Sequence, residues 1–243
     1  MTAPQFDYLV YIGRFQPFHL GHLAMLQAAL RRAQKVILVL GSAGGSRTTK
    51  NPFSVAERQA MIINAVADWD ASRVADVLFA PVRDYYDGPR WVAAVQAAVA
   101  ALTPPGTRVG LFGHFKDASS AYLKDFPAWP LVHQANFGQI NAADLRRAWF
   151  ASGGELAKIT DKLPASVTQF LATFAKDELF KRLIAEYQHL EQHRQQWAAA
   201  PYPPIFLTVD AVVRCCGHVL LIQRGGDFGY GCWALPGGFL DPH

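Results

Sequence analysis

The sequence predicts an α/β fold in which a parallel sheet carries helices on both faces. Three features indicate it: short runs of continuous apolar residues, helical periodicity between them, and a glycine or polar residue near the end of each run. Strands buried on both faces read as continuous apolar runs, and their alternation with helices is typical of parallel sheets. Ligands of such sheets bind beyond the carboxyl ends of the strands, so we expect the chemistry at that edge.

Four apolar runs are the expected strands of this sheet. They are Tyr8–Ile12, Val36–Leu40, Val77–Val82 and Arg108–Gly113. The residues at or shortly after their carboxyl ends are Gly13, Gly41, Asp84 and Gly113. Because the strands are expected to run parallel, these four positions should converge on one edge.

The helices expected between and after these strands follow apolar spacings of three and four residues. They lie at Leu20–Arg32, Ser54–Ala67, Pro89–Leu102 and Ala118–Phe126. Ser54 and Glu57 form a Ser-x-x-Glu capping box, so we interpret both as structural residues at a helix start.

Changes in the pattern of expected strands and helices divide the chain into three expected parts, 1–162, 163–204 and 205–243. The first part is the α/β domain, and the second is a helical connector. The connector ends in the proline-rich linker Ala200–Pro204, because prolines stop a helix and extend the chain.

The third part opens with apolar runs that predict strands. We expect one strand over Phe206–Arg214, a turn at Gly217 and a second strand over His218–Arg224. Two such runs joined by a glycine-containing turn are typical of a hairpin.

Composition describes a globular protein with a substantial core, and the mild net charge suits phosphate-rich small ligands, although scattered surface lysines give the same charge. Hydrophobic residues make up 51% and charged residues 17% of the 243 residues, and the formal net charge is +4. There is no basic run typical of nucleic-acid binding, no apolar run of roughly 18 residues and no secretory signal at Met1–Gln5. Three cysteines make no disulfide framework. We therefore expect a cytoplasmic protein without membrane or nucleic-acid partners; homo-oligomerisation is left open.

The segment Gly13–His22, Gly-Arg-Phe-Gln-Pro-Phe-His-Leu-Gly-His, is the most informative motif of the chain. It joins the first expected strand to the first helix, which places His19 and His22 at a helix N-terminus, where anions and above all phosphates bind. Gly21 removes a side chain between the imidazoles, so that a phosphate can approach the backbone. Two merely polar residues at a helix start are the alternative, but strand, turn and helix all agree with the phosphate site.

This segment resembles the His-x-Gly-His motif of the nucleotidylyltransferase superfamily, and the longer string is most similar to archaeal-type nicotinamide mononucleotide (NMN) adenylyltransferases. The resemblance implies a Rossmann-like domain that transfers the adenylyl group of ATP to NMN, or to nicotinate mononucleotide, with Mg²⁺ on the phosphates. It implies that His19 and His22 donate to the α-phosphate and that Arg14 clamps phosphates. Gly13, Phe15 and Gly21 would belong to the same ATP site.

Further positions match the family, one of them among the catalytic residues and two on the acceptor side. Lys50 stands where archaeal relatives usually place an arginine that touches substrate phosphate; lysine keeps the charge but loses the bidentate geometry. Asp84 and Trp91 have the family's spacing for holding the nicotinamide end of the mononucleotide, and an indole can stack on a pyridinium ring. The alternative for Trp91 is a packing residue of its helix.

Two segments resemble the parts of the family's sequence that contact ATP. The first, Gly113–Ser120, implies ATP contacts at Gly113 and Lys116. In the second, many relatives carry Ser-x-Thr-x-x-Arg, of which Arg146 matches, whereas Asn141 and Ala143 stand near the hydroxyl positions. We expect Asn141 to cap the helix and Arg146 to reach the ATP phosphates, with some of the family's hydrogen bonds lost.

The last residues resemble the opening of a Nudix box, with Ala234–Gly238 as its specific part. The box continues Gly-x5-Glu into a helix whose glutamates hold magnesium, and five residues after Gly238 reach His243. The chain is thus similar to the bifunctional NMN adenylyltransferase/Nudix hydrolase family. We expect these 243 residues to lack the ADP-ribose pyrophosphatase activity, and the Nudix part to be less stable than the first domain.

Two other functions fit parts of the sequence. A sibling nucleotidylyltransferase would use another acceptor, such as phosphopantetheine, but Asp84 and Trp91 favour a pyridine mononucleotide. A non-catalytic sensor of NAD or ADP-ribose is the other alternative, and Asn141 and Ala143 are its best support. The amide and acid forms of the mononucleotide are not distinguished.

Overall fold

The computed structural model describes residues 5–113, 123–135, 137–202, 205, 207–226 and 229–239. Within them a five-stranded parallel sheet, in the order β3-β2-β1-β4-β5, forms the centre of the first domain. Its strands are β1 (Phe6–Gly13), β2 (Ala33–Leu40), β3 (Val77–Pro81), β4 (Val109–Gly113) and β5 (Leu131–His133).

The sheet is buried on both faces, as the continuous apolar runs predict. Successive residues of a strand point to opposite faces, and Leu9 and Val10 of β1 are both fully buried but belong to different apolar cores. Leu38 and Val39 of β2 divide between the two cores in the same way. The predicted α/β fold is therefore confirmed.

Within the described residues, six α-helices cover the sheet and its edges. They are α1 (Leu20–Leu30), α2 (Val55–Asp70), α3 (Gly88–Ala100), α4 (Ala142–Ala151), α5 (Ala165–Phe174) and α6 (Glu178–Gln196). Val95 and Val99 of α3 pack in one core, whereas the other five helices contribute to the larger core on the opposite face. Trp149 is the largest fully buried side chain of that core and contacts Phe53, Phe174 and Phe180.

The first four strands and the helices up to α3 lie close to their predicted bounds. β5 was not predicted, because it has only three residues, two of them exposed. The helix expected over Ala118–Phe126 lies mainly outside the described residues; 123–125 form a short 3₁₀ turn.

The described residues between 205 and 239 form three short antiparallel ladders. They pair β6 (Thr208–Asp210) with β11 (Gly237–Phe239), β7 (Arg214–Cys215) with β8 (His218–Val219), and β9 (Ile222–Gln223) with β10 (Trp233–Ala234). The prediction of one strand over Phe206–Arg214 was wrong, because the pairing partner changes within it. The Ala211 N–H donates to Pro236, whereas the carbonyl of Val213 accepts from Leu220. The turn at Gly217 is present, with a φ of 78°.

Across the described residues, no helix combines the length and the apolar character needed to cross a membrane.

Candidate active site

A cavity of about 240 Å³ opens at the carboxyl end of β1, between the β1–α1 loop and the start of α4. This is the edge at which parallel α/β sheets bind ligands. The side chains and backbone that line it are those of Tyr11, Arg14, Phe15, Gln16, His19, His22, Ile140, Asn141, Ala142, Ala143 and Arg146.

The two histidines of the motif cap helix α1 reciprocally. His19 is the N-cap residue, and its Nδ1 accepts the His22 N–H at 3.3 Å, while Nδ1 of His22 accepts the His19 N–H at 3.4 Å. The rings stack, with centroids 3.6 Å apart. A neutral imidazole whose Nδ1 accepts carries its proton on Nε2. Both rings are therefore fixed in the tautomer that offers an Nε2–H to a ligand.

The environment of His22 keeps its imidazole neutral. Burial lowers the pKa of His22 well below its usual value, and the adjacent His19 lowers it further, because two cationic rings at this distance would repel. Near neutral pH His22 is thus a neutral hydrogen-bond donor, and Arg14 and Arg146 bring positive charge to the same cavity.

Glycine and Phe15 shape the loop that carries the histidines. A Cβ on Gly21 would lie 3.1 Å from the His19 ring and 3.2 Å from the carbonyl oxygen of Phe137. A Cβ on Gly13 would lie 2.8 Å from the ring of Phe15, which is itself buried at a φ of 52° and packs edge-on against His22. Gly13 therefore makes room for Phe15 of the same loop, and Gly21 makes room for His19 and for the backbone of Phe137.

Arg146 is a buried cation beside the histidines. It is 7% exposed; its Nε donates to the carbonyl oxygen of Thr49 at 3.2 Å, and its Nη1 donates to the carbonyl oxygen of Gln16. Burial, and secondarily the charge of Arg14, lowers the pKa of Arg146 to about 10, so it stays cationic at neutral pH. These bonds use two of its five N–H groups.

Asn141 begins the helix on the opposite wall of the cavity. It is the N-cap of α4, and its Oδ1 accepts the Ala143 N–H at 2.9 Å, as expected from the sequence. The N-terminus of α4 therefore borders the cavity, which adds the favourable end of a helix dipole for an anion.

Arg58 and Gln16 belong to the frame of the site, and sequence reasoning did not find their roles. Arg58 is 1% exposed and donates through Nη1 to the carbonyl oxygens of Arg14 at 2.9 Å and Gly41 at 2.7 Å, so it ties the ends of β1 and β2 together. Burial lowers its pKa to about 10. The Gln16 amide exchanges two hydrogen bonds with the backbone of Phe53. Both contacts span more than 15 residues, and no local pattern encodes them.

The remaining predicted residues lie outside this cavity. Lys50 is exposed on the loop next to Thr49. Asp84 is exposed beyond β3, near enough to Arg58 to affect its pKa. Trp91 is half-buried and meets Phe126 edge-on at 5.9 Å.

Two predicted ATP contacts on the β4 side differ in what the structure describes. Gly113 ends β4, is buried and pairs with His133. Lys116 falls outside the described residues.

Comparisons with known proteins agree with this geometry. The Cytidylyltransferase-like family profile matches residues 10–104. The nicotinamide/nicotinic acid mononucleotide adenylyltransferase of Acinetobacter baylyi is 42% identical over 185 residues, which are 76% of this chain and 95% of that protein. The nicotinamide-nucleotide adenylyltransferase of Sulfurisphaera tokodaii is 30% identical over 173 residues, 70% of this chain and 92% of that protein.

Solved structures extend the similarity over nearly all of the chain. The bifunctional NMN adenylyltransferase/ADP ribose pyrophosphatase of Francisella tularensis is 33% identical with a TM-score of 0.90, and the match covers 98% of this chain and 69% of that one. Its complex with AMP and a manganese ion has a TM-score of 0.88 at 32% identity. The family inferred from the Gly13–His22 motif is therefore confirmed: the chain belongs to the NMN adenylyltransferase family, and over its length it shares the fold of the bifunctional members.

Proposed function

We propose that this chain transfers the adenylyl group of ATP to NMN or nicotinate mononucleotide, releasing pyrophosphate. The observation that carries the proposal is the stacked histidine pair, whose Nε2–H groups are fixed by backbone contacts beside Arg14 and Arg146. The names of the relatives support the same reaction.

The reaction needs positioning and charge stabilisation from the protein rather than a covalent intermediate. A phosphate oxygen of the mononucleotide forms a bond to the α-phosphorus of ATP, and the bond from that phosphorus to the oxygen bridging to the β-phosphate breaks. The attacking phosphate is already ionised near neutral pH, so no base is required. Nε2–H donors preorganised at the α-phosphate stabilise the negative charge that shifts in the transition state.

The arginines bind the phosphates on either side of that centre. Arg146, held by the carbonyls of Thr49 and Gln16, keeps its planar cation at a fixed place and supports binding of the β- and γ-phosphates. Arg14 lies exposed at the mouth of the same cavity and is assigned a phosphate contact. Gly13, Phe15, Gly21, Gly113, Lys116 and Asn141 complete the proposed ATP site.

We assign the acceptor mononucleotide to the strand ends at β2 and β3. Asp84 and Trp91 are assigned to the nicotinamide end of the mononucleotide, and Lys50 to a substrate phosphate. Their support is the family spacing in the sequence and, for Asp84, its proximity to Arg58 at the strand ends.

A divalent cation is assigned to the ATP phosphates. The Francisella tularensis structure with AMP and a manganese ion supports metal use in this family, and we propose Mg²⁺. No group of three or more His, Cys, Asp or Glu side chains suited to a metal occurs among the described residues. We assign the phosphate oxygens of ATP as its donors, and the bound ion would neutralise part of the pyrophosphate charge.

The cytoplasm is the proposed place of action. All three cysteines are free thiols, and Cys215 and Cys216 are exposed, which suits a reducing compartment. The expectation that these 243 residues lack ADP-ribose pyrophosphatase activity stays a prediction.

One assay tests the proposal: purified protein with ATP, MgCl₂ and NMN, in which NAD and pyrophosphate are measured together. Parallel reactions with nicotinate mononucleotide and with phosphopantetheine identify the acceptor. Equimolar NAD, or its deamido form, and pyrophosphate are expected. Turnover of phosphopantetheine alone would favour the sibling enzyme, and nucleotide binding without any product would favour a sensor.

A further inference from the structure

Glu186 is a buried carboxylate that the proposed mechanism does not use. It lies in α6 and is 5% exposed, whereas Glu178 and Glu191 of the same helix form surface ion pairs with Lys181 and Arg194. A buried carboxylate is unfavourable unless hydrogen-bond donors satisfy it. Its partners therefore indicate why it is there.

The first partner is the loop between β2 and α2. The Thr49 N–H donates to Oε1 of Glu186 at 3.3 Å, across 137 residues of sequence. The carbonyl oxygen of Thr49 accepts from Nε of Arg146 at 3.2 Å. Thr49 is thus held from two sides, by a carboxylate on its N–H and by an active-site arginine on its carbonyl.

We propose that Glu186 is a positioning residue for ATP: by fixing Thr49 it fixes the guanidinium of Arg146 in the cavity and the backbone that carries Lys50. This rests on the proposed function, because it assigns Arg146 to the ATP phosphates. A carboxylate is suited to the task, since it is a strong acceptor for a backbone N–H.

The surroundings of Glu186 keep it in place. A cavity of about 270 Å³ beside it is lined by Arg47 and Arg182, and by Tyr230 and Trp233 of the third part of the chain. Burial raises the pKa of Glu186, while hydrogen bonds from Thr49 and from the backbone of Gly229 oppose that rise. The carboxylate therefore joins the Thr49 loop to residues near Gly229, while Arg47, which lines the same cavity, is paired with Glu57 at 2.8 Å.

Two conservative variants of the full chain separate the effect of side-chain length from the effect of charge. Glu186→Gln keeps the length of the side chain and one acceptor oxygen for the Thr49 N–H, but removes the charge. Glu186→Asp keeps the charge but is one methylene shorter, so it withdraws from Thr49. Glu191→Gln and Glu191→Asp, on the surface of the same helix, are the matched controls. The KM values for ATP and NMN, kcat, the melting temperature and the Kd for MgATP are measured for each.

If Glu186 acts by positioning Thr49, the Glu186→Gln variant should keep its KM and Kd for ATP within about two-fold of the wild-type values. Glu186→Asp should raise the KM and Kd for ATP about 3- to 30-fold, the range for residues that act through a contact network. The KM for NMN and the melting temperature should change little, and the Glu191 variants should behave as wild type.

Other patterns overturn the proposal. If Glu186→Asp binds ATP normally while Glu186→Gln does not, ATP binding depends on the charge of the side chain and not on its length. If both variants bind ATP as wild type does, the contact has no role. If either variant loses melting temperature together with kcat and both KM values, Glu186 is a packing residue. Should the wild-type chain make no NAD, the proposed function fails, but the Kd for MgATP in the same variants still tests Glu186.

Discussion

The chemistry of each imidazole in this site follows from a backbone contact. His19 and His22 are only three residues apart, so a helix start brings each Nδ1 to the N–H of the other and leaves Nε2 protonated. Because burial lowers the pKa of His22, its ring donates as a neutral group. The place of both histidines at the start of a helix was predictable from their local spacing, whereas their reciprocal capping and the burial of His22 were not predicted.

Replacing His22 by alanine should lower kcat about 10²- to 10³-fold, because one preorganised donor to the α-phosphate is lost. The KM values should change much less, since the donor acts mainly in the transition state. His22→Gln is the second variant, because glutamine at this position retains a capping-box partner, and His189→Ala, at an exposed position of α6, is the control. Steady-state kinetics with full kcat in His22→Ala would remove His22 from the proposed mechanism, whereas His22→Gln, which retains an amide N–H donor, should lose less.

Trp91 tests the acceptor side in the same way. If its indole stacks on the nicotinamide ring, Trp91→Ala should raise the KM for NMN about 2- to 30-fold, matching a cation–π contact of about 0.5–2 kcal/mol, and leave the KM for ATP nearly unchanged.

Trp129→Ala is the matched control for Trp91, because Trp129 stacks on the same Phe126 ring at 4.9 Å. Equal changes in both KM values, with a similar fall in melting temperature for the two variants, would show that Trp91 only packs.

Contacts between elements explain what sequence reasoning missed. The strands were predictable because burial on both faces leaves continuous apolar runs. The Gln16–Phe53 clasp, which is the pair of hydrogen bonds between the Gln16 amide and the backbone of Phe53, joins the β1–α1 loop to the segment before α2. Arg58 joins the ends of β1 and β2. These partners meet only after the sheet has formed, and a polar residue in the sequence does not reveal which carbonyl it will reach.

The clasp should be a measurable part of stability. Gln16→Ala leaves the buried N–H and carbonyl of Phe53 without their partner and should lower the free energy of unfolding by about 1–3 kcal/mol. Gln34→Ala, which removes a surface contact to Asp7, should have almost no effect. Urea unfolding of the three proteins makes the comparison; an equal, small change in both variants would mean that water replaces the clasp.

The molecule as a whole joins one well-packed α/β unit to a part with little buried surface. The large core draws on the sheet and five helices, whereas apolar residues such as Leu207, Val212 and Val219 are 62%, 62% and 47% exposed. The Acinetobacter baylyi enzyme aligns over 95% of its own length with 76% of this chain. A relative with the named adenylyltransferase activity therefore has no counterpart for about a quarter of the residues present here.

Deleting residues 205–243 should consequently leave NAD synthesis within a few-fold of the full chain. The histidine pair, Arg146 and the contact from Glu186 to Thr49 all lie before residue 205, so the truncated protein retains them. What it loses is the packing of Tyr230 against Arg182, a cation–π contact at 5.5 Å, and the hydrogen bond from Gly229 to Glu186. The exposed cation–π contact contributes about 0.5–1 kcal/mol and the hydrogen bond to the buried carboxylate about 1.5–3 kcal/mol, which is why a change of a few-fold, rather than none, is expected. Kinetics and thermal unfolding of both proteins decide the matter: collapse of NAD synthesis after deletion would mean that residues 229–233 hold α6, and with it Glu186, in the position that ATP binding requires.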